Sequence, residues 1–452
     1  MTSTVELPVW LFVLILLFAA VTFASHFLFP SVRWYFRRRM EKVVARVNER
    51  LERPIEPFRL ARRYDMIQRL IYDPDVNQAI VDYAHRNKVP EAVAFQEAKS
   101  YAREIVPSFS ASIYFGFAVK LAKFIATSFY RVRLGYYDEE GLKKIDRDAS
   151  VVFVMNHKSN MDYVLVTYLA AERSALAYAA GEWARVWPLS RLIKAMGAYF
   201  IRRKSRNSLY RRVLASYVRM ATEGGVTQAM FPEGGVSLNG APQEPKLGLL
   251  KYITDGFNPE KRDIVFVPVA LNYDRVFEDR VLLNALEGGG RRFHAKISVI
   301  AAFLMKQIWL RLRGRYNRFG YAAVSFGHPL SLTEFAKDRD GDLAEPLADA
   351  LMQRIEEVIP VVPVPLVAAI LLDAERPISM PQLVGAVAMQ VGRLKDAHVH
   401  LPRDDIDYAT EVGVRLLLRR KMIEKRAGCY SVVDDQRSAV AFYANSIRHF
   451  LE

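Results

Sequence analysis

Residues 150–162 read SVVFVMNHKSNMD: an apolar, β-branched run from Ser150 to Met155, then Asn156-His157, then Asp162 five positions after the histidine. The run is short and ends on a polar turn, so it reads as a strand, and Asp162 to Ala171 behind it reads as a helix. Working outward, Gly197 to Arg202 (GAYFIR) reads as a second short strand and Leu209 to Ala221 as an amphipathic helix. Val226 to Phe231 reads as a third strand, ending on a Pro-Glu-Gly-Gly turn. Ile264 to Val269 reads as a fourth strand, followed by Leu271 to Tyr273, and Val324 to Gly327 as a fifth. Strands alternating with helices predict an α/β fold, a largely parallel or mixed sheet with helices packed against it. Charged and glycine-rich segments fall at the strand ends, where open α/β sheets place their sites.

His157 and Asp162 carry the sharpest chemistry. With a helix starting near Asn160, Asp162 lies in its first turn and can turn back onto one imidazole nitrogen. That contact sets the tautomer, raises basicity and leaves the other nitrogen to take a proton from an alcohol. By itself the spacing is equally compatible with an Asn/Ser cap beside a structural histidine. A G-x-S-x-G elbow is missing, as are H-E-x-x-H, cysteine pairs and any histidine cluster; the lone cysteine is Cys429, and His398 and His400 are at most half a metal site. Gly288-Gly289-Gly290 lacks the Lys and Ser/Thr of a phosphate loop. These gaps argue against serine-hydrolase, metal, kinase and dehydrogenase chemistry, and no cofactor is expected.

Composition adds the setting. The 452 residues hold 64 Lys plus Arg against 49 Asp plus Glu, a net charge of +15 that suits anionic partners. Val9 to Phe29 carries no charge and is long enough to cross a hydrocarbon core. Arg33, Arg37, Arg38, Arg39 and Lys42 follow it, whereas Glu6 is the one charge before it. The positive-inside rule therefore predicts a transmembrane anchor with the rest of the chain in the cytoplasm, the alternative being a helix that lies in or dips into one leaflet. Segments 1–50 (anchor and basic flank), 51–145 (helical), 146–340 (catalytic) and 341–452 (helical C-terminal region) are the expected divisions. Within the second, Asp73 and Pro74 open a helix through Ala84, and Glu91 opens another through Glu104. Ser110 to Tyr130, apolar but for Lys120 and Lys123, reads equally as a core helix or as one resting in the membrane interface. In the tail, helices are expected over Leu366 to Asp373, Ser379 to Leu394 and Tyr408 to Arg420, with a capping box at Ser379 and Gln382. The tail could pass for a winged-helix module, but its basic residues gather on no one helix, so no nucleic acid is expected as partner.

Set side by side, these segments resemble the glycerolipid acyltransferase family, more closely its glycerol-3-phosphate acyltransferase branch. The family's His-x4-Asp motif is matched by His157 and Asp162, and its aromatic-Ile-Arg-Arg motif by Gly197, Phe200, Ile201, Arg202 and Arg203. Phe-x-Glu-Gly is matched by Phe231, Glu233, Gly234 and Gly235, with Pro245, Lys246 and Gly248 downstream. Val-Pro-Val then Tyr is matched by Val267-Pro268-Val269 and Tyr273, and the branch's Tyr-x-Asn tail by Tyr443 and Asn445. The resemblance implies transfer of an acyl group from acyl-CoA or acyl-carrier protein to the 1-hydroxyl of glycerol 3-phosphate, with His157 as base, Asp162 as its orienter and no acyl-enzyme. It implies a phosphate clamp from one of Arg202 and Arg203, the other pairing with Glu233 or an acidic neighbour. Gly234 and Gly235 would bring N–H groups to the oxyanion, Lys158 and Lys246 would add phosphate contacts, and Pro268 would form a wall. An anionic phospholipid membrane, a bacterial inner membrane with the catalytic domain on its cytoplasmic face, is the implied location.

Two departures bear on the acceptor. Where the family carries arginine soon after Glu-Gly this chain has Val236 and Leu238, and where the branch has Arg and His in the first motif it has Lys158 and Asn160. The competing expectation is therefore an acyltransferase acting on 1-acyl-glycerol 3-phosphate or another lysolipid. A scaffold that has kept only the fold is disfavoured, because His157 and Asp162 are both present.

Overall fold

The computed structural model describes residues 8–171, 174–181, 189–202, 205, 207–288, 309, 313, 318–337, 339, 341–394 and 398–451, without the side chains of 24–37, 39, 40 and 43. The chain divides into two compact units, residues 1–54 and 55–452. In the first, Val9–Asn48 is one helix of 40 residues, about 60 Å long at 1.5 Å per residue. The uncharged stretch forms its first half, and the apolar side chains described there, Trp10, Phe12 and Phe18 among them, are exposed.

The second unit is built on a mixed eight-stranded sheet: β1 (Arg131–Tyr137), β2 (Ser150–Met155), β3 (Ala177–Ala180), β4 (Tyr199–Phe200), β5 (Gln228–Met230), β6 (Ile264–Tyr273), β7 (Tyr321–Phe326) and β8 (Leu330–Ser331). The spatial order is β1-β7-β6-β2-β5-β3-β4, with β8 beside β6. Strands β6, β2, β5, β3 and β4 are mutually parallel, while β7 and β8 run antiparallel to β6. All six residues of β2 are buried, as a strand covered on both faces requires. Alternation then sends Val151, Phe153 and Met155 to one core and Val152 and Val154 to the other. Burying side chains such as these contributes about 1.5–3 kcal/mol each.

On the first face lie the helices Asp162–Ala170, Val119–Phe129, Pro363–Asp373 and Arg437–Ala444; on the second lie Arg63–Ile71, Pro74–Asn87, Glu91–Ile105, Ser208–Glu223 and Ala344–Glu357. Asp73 does precede its helix, but its carboxylate accepts from Ser216 Oγ (3.0 Å) and Arg219 Nη2 (2.6 Å) instead of capping. The Ser110 to Tyr130 segment becomes a helix over Ser112–Phe129 whose first seven residues are π-helical. Tyr114, Ala118, Ala122, Ala126 and Phe129 are buried, while Ile113, Phe117, Leu121 and Phe124 are exposed. Among the described residues it is the one helix whose length and composition alone would allow a membrane crossing.

Several expectations change in detail. Gly197 to Arg202 supplies only the two-residue β4, and the two expected pieces around Pro268 are one strand of ten residues. β1 and β3 were not expected as strands. β1 pairs with β7, so the expected boundary at 145/146 falls between two strands of one sheet. The C-terminal region is helical as expected, with the capping box at Ser379 and Gln382 formed. It also carries a three-stranded antiparallel sheet, β9 (Ile378–Ser379), β10 (Ile423–Arg426) and β11 (Cys429–Val432). A purely helical reading missed these strands because β9 is two residues long and β10 and β11 are a four-residue hairpin pair. On the helix Ile406–Arg419 that precedes the hairpin, exposed Asp407 and Glu411 are followed at four-residue spacing by exposed Arg415 and Arg419.

Candidate active site

β2 delivers the chain to the site. Its ladder with β6 ends at Met155–Val269, and Asn156 extends it by one step through its side chain. Asn156 Nδ2 donates to the Leu271 carbonyl (3.0 Å) and Oδ1 accepts from the Leu271 amide (2.8 Å). The turn that follows wraps around one carboxylate. Asp162 Oδ2 accepts from His157 Nδ1 (2.9 Å), the Lys158 amide (2.8 Å) and the Ser159 amide (2.9 Å). Its Oδ1 accepts from the Tyr273 hydroxyl (2.5 Å). Asp162 opens the helix Asp162–Ala170, where a carboxylate is favoured by the helix dipole. Four donors fix its rotamer, and its hold on Nδ1–H makes Nε2 the basic nitrogen of the ring. His157 and Asp162 are 1 % and 0 % exposed.

The imidazole is also held by its faces. Phe231 stacks on it at 4.0 Å and 23°, and Tyr163 meets it edge-on at 5.7 Å. The segment from Phe231 to Ser237 grips the backbone as well: Glu233 Oε1 accepts from the His157 amide (3.0 Å), and the Ser237 amide donates to the His157 carbonyl (2.9 Å). Thus two sequence motifs 76 residues apart build one rigid base. Glu233 Oε2 is buried with no hydrogen-bond partner among the described residues. Burial pushes the Glu233 carboxyl up and the Lys158 ammonium down, so desolvation drives both toward their neutral forms.

Other expected substrate contacts are placed elsewhere. Lys158 is buried and its ammonium donates to the Gly240 carbonyl, so it braces the loop after Gly235 instead of facing a ligand. Arg202 is committed to Glu104, through Nε to Oε1 (2.9 Å) and Nη2 to Oε2 (2.5 Å). It follows β4, three strands from β2, a separation of about 14 Å at the usual strand spacing. Arg203 lies outside the described residues. Gly234 gives its N–H to the Phe231 carbonyl (3.1 Å) and closes the turn instead of facing an oxyanion. Lys246 is exposed, with its stem against Gly234. Pro268 pairs with Val154 and packs toward Val358, on the sheet face opposite Tyr273, because side chains alternate along β6. It is no wall of the His157 site. Val236 and Leu238 pack against the core. His398 stacks on Tyr136 (4.3 Å) and His400 lies beside Tyr321 (5.2 Å).

Three groups were not anticipated. The sequence marks Tyr273 only as a motif residue, yet its hydroxyl reaches Asp162; Phe231 likewise supplies the stacking ring. Glu278 has no sequence signal at all. It accepts from Ser159 Oγ (2.8 Å), the Asn160 amide (2.6 Å) and Asn160 Nδ2 (2.9 Å), tying the turn down from the far side. Burial pushes its carboxyl up to about 7. The tail completes the enclosure. Asn445 Nδ2 donates to the Asn239 carbonyl (3.0 Å), and Asn272 Nδ2 donates to Ser446 Oγ (3.1 Å). Tyr443 donates to Asp279, which also pairs with Arg420 (2.5 Å). At Gly240 a Cβ would lie 1.8 Å from the Phe442 carbonyl oxygen, so only glycine admits the tail there.

Known proteins share this organisation. Residues 137–272 match the acyltransferase family model and residues 309–451 the model of the glycerol-3-phosphate acyltransferase C-terminal region. A glycerol-3-phosphate acyltransferase of Pseudomonas fluorescens is 29% identical over 338 residues, 70% of this chain and 39% of the relative. Those of Ectopseudomonas mendocina and Pseudomonas entomophila are each 27% identical, over 86% and 91% of this chain and 49% and 52% of theirs. The chain therefore spans about half the length, or less, of these relatives. A solved 1-acyl-sn-glycerophosphate (LPA) acyltransferase from Thermotoga maritima is 17% identical, covers 54% of this chain and 78% of its own, and has a TM-score of 0.33. The two models match in order, the first over the strands and the turn that hold His157 and Asp162, so the chain carries an acyltransferase domain followed by a region similar to the C-terminal region of glycerol-3-phosphate acyltransferases.

Proposed function

We propose that this protein transfers an acyl group from acyl-CoA or acyl-carrier protein to the 1-hydroxyl of sn-glycerol 3-phosphate, giving lysophosphatidic acid. The observation that carries the reading is the buried His157–Asp162 pair, closed by Tyr273, within the stretch that matches the acyltransferase model. His157 Nε2 takes the hydroxyl proton as the oxygen attacks the thioester carbonyl. Asp162 stabilises the imidazolium that forms. The tetrahedral intermediate then expels the thiolate, which takes the proton back from His157. No covalent enzyme intermediate is needed. The Gly235 N–H is the oxyanion donor offered by the Glu233–Gly235 turn, since Gly234 is used within it. Among the described candidates Lys246 is the cation left for the acceptor phosphate, given that Lys158 and Arg202 are engaged within the protein.

The first half of the helix Val9–Asn48 serves in this reading as the membrane anchor, with its basic second half toward anionic lipid on the cytoplasmic face of a bacterial inner membrane. Glycerol 3-phosphate is favoured over a lysolipid acceptor because the tail that touches the His157 loops is the part matched to the glycerol-3-phosphate acyltransferase C-terminal region. The test is acyl transfer by purified protein from labelled palmitoyl-CoA, with glycerol 3-phosphate and 1-acyl-glycerol 3-phosphate offered separately. Label in lysophosphatidic acid, lost in His157→Ala, is the expected result. Label only in phosphatidic acid would move the protein to the second acylation. Failure with both acceptors and with acyl-carrier protein as donor would reject the reading.

A further inference from the structure

A cavity of about 290 Å³ opens at the end of the sheet opposite His157. Ala177, the first residue of β3, lines it; Ala177 is level with Gln228, and Gln228 with Val152, five positions before His157. About 16 Å of strand therefore separates the two sites. Arg59, Arg62 and Arg63 line the cavity. Among the described residues no carboxylate forms an ion pair with any of the three.

Arg59 is the most constrained of them. Nη1 donates to the Ala175 carbonyl, and Nη2 to those of Leu176 (2.9 Å) and Met196 (3.3 Å). Its guanidinium lies 4.1 Å over the Phe109 ring. A Cβ on Gly197 would come within 2.5 Å of Nη2, so the backbone leaves room for this cation. Nε is buried and has no hydrogen-bond partner among the described residues. Burial pulls the group down to about 10, the mark of a charge without a countercharge. A clamp on three carbonyls would account for Nη1 and Nη2. It accounts neither for the orphan Nε nor for exposed Arg62 on the same cavity, while Arg63 donates through Nε to the Val106 carbonyl and through Nη2 to the Arg103 carbonyl. The remaining lining is largely apolar, with Phe58, Met66 and Phe109. Three residues beyond Phe109 begins the helix Ser112–Phe129, whose outward face presents Phe117, Leu121 and Phe124.

We propose that this cavity binds the phosphate of a phosphorylated ligand on Arg59, Arg62 and Arg63, with any attached hydrocarbon against Phe58, Met66 and Phe109, at a site separate from His157. Guanidinium forks match phosphate oxygens, and a dianion in the cavity would supply the countercharge that the three arginines lack. The ligand is either a lipid headgroup or a free phosphate ester. The inference stands apart from the acyl-transfer reading, since it concerns binding at the other end of the sheet.

The experiment is calorimetric titration of the full chain carrying His157→Ala, in neutral detergent, with hexyl phosphate, inorganic phosphate and hexyl glucoside. Hexyl phosphate is expected to bind, and to bind at least tenfold more weakly when Arg62→Gln and Arg63→Gln are added. Arg63 also donates to the Val106 carbonyl (3.0 Å); should the double variant not fold, exposed Arg62→Gln alone is expected to weaken binding at least threefold. Hexyl phosphate binding more tightly than inorganic phosphate supports a lipid headgroup, and equal binding supports a free phosphate ester. Binding unchanged by the arginine variants, absent altogether, or matched by hexyl glucoside would overturn the proposal.

Discussion

Replacing Asp162 by asparagine tests the electrostatic core of the mechanism without dismantling it. If the amide oxygen takes the place of Oδ2, it can still accept from His157 Nδ1, the Lys158 amide and the Ser159 amide, while the amide nitrogen faces the Tyr273 oxygen. Geometry is thereby kept and only the charge is lost. The carboxylate lies 2.9 Å from Nδ1 in a site from which water is excluded. With charge centres about 4 Å apart and an effective dielectric constant near 20, its attraction for the imidazolium is about 4 kcal/mol. That attraction exists only once His157 has taken the proton. Its loss therefore falls on kcat, by about a thousandfold at 1.36 kcal/mol per decade, with KM for glycerol 3-phosphate nearly unchanged. Steady-state acyl transfer gives kcat and KM, and circular dichroism on the same samples gives the melting temperature. A variant that melts within a few degrees of wild type yet keeps more than a tenth of kcat would refute the assignment of Asp162 as the partner of a charged His157.

Tyr273→Phe removes one donor from the same carboxylate and is expected to cost about 1.5–3 kcal/mol of stability, the usual worth of a hydrogen bond to a charged group, read by denaturant titration. Combined with Asp162→Asn its effect on kcat should be far less than additive, because both act through His157. Gly240→Ala sets a Cβ against the Phe442 carbonyl at a residue with φ +83°, so the tail should detach from the catalytic loop; the expected result is a lowered melting temperature together with lost activity, and a fully active variant would separate tail from site. Burial pushes both Asp274 and Glu278 up to about 7, above their unfolded values of 3.8 and 4.5. The folded state then holds these protons more tightly, and stability is greatest below about pH 4.5 and falls as pH rises toward 7. Between pH 8 and pH 6 each group should add about 1 kcal/mol, seen as a rising melting temperature on acidification. Glu278→Gln should flatten its share of that slope and lower kcat, since one of its three donors would meet an amide.

What the sequence discloses and what it hides follow physical lines. β2 and β6 are legible because a strand buried on both faces must be written almost entirely in apolar residues. β1 is hidden behind Arg131 and Arg133, an edge strand with one solvated side, and β3 behind three alanines that carry no strand preference. The His157–Asp162 contact is local, five residues apart, and its spacing announces it. Glu278 reaches Asn160 across 118 residues and Glu104 reaches Arg202 across 98. Pairs so distant leave no periodicity to find, and an isolated acid looks like any other. Arg202 therefore read as a ligand contact when the fold had already given it a partner. Lys158 misleads for a related reason: its side chain points inward to a carbonyl supplied by a glycine 82 positions later.

The thread from Asn445 to the Asn239 carbonyl bears on timing during synthesis. His157 emerges from the ribosome roughly 290 residues ahead of Asn445. At bacterial elongation rates that interval is roughly 15 to 60 s. Throughout it the nascent chain holds its base and carboxylate but lacks the strap that fastens the neighbouring loop. An unfinished translation product would thus carry His157 and Asp162 without the tail contact that closes the loop beside them.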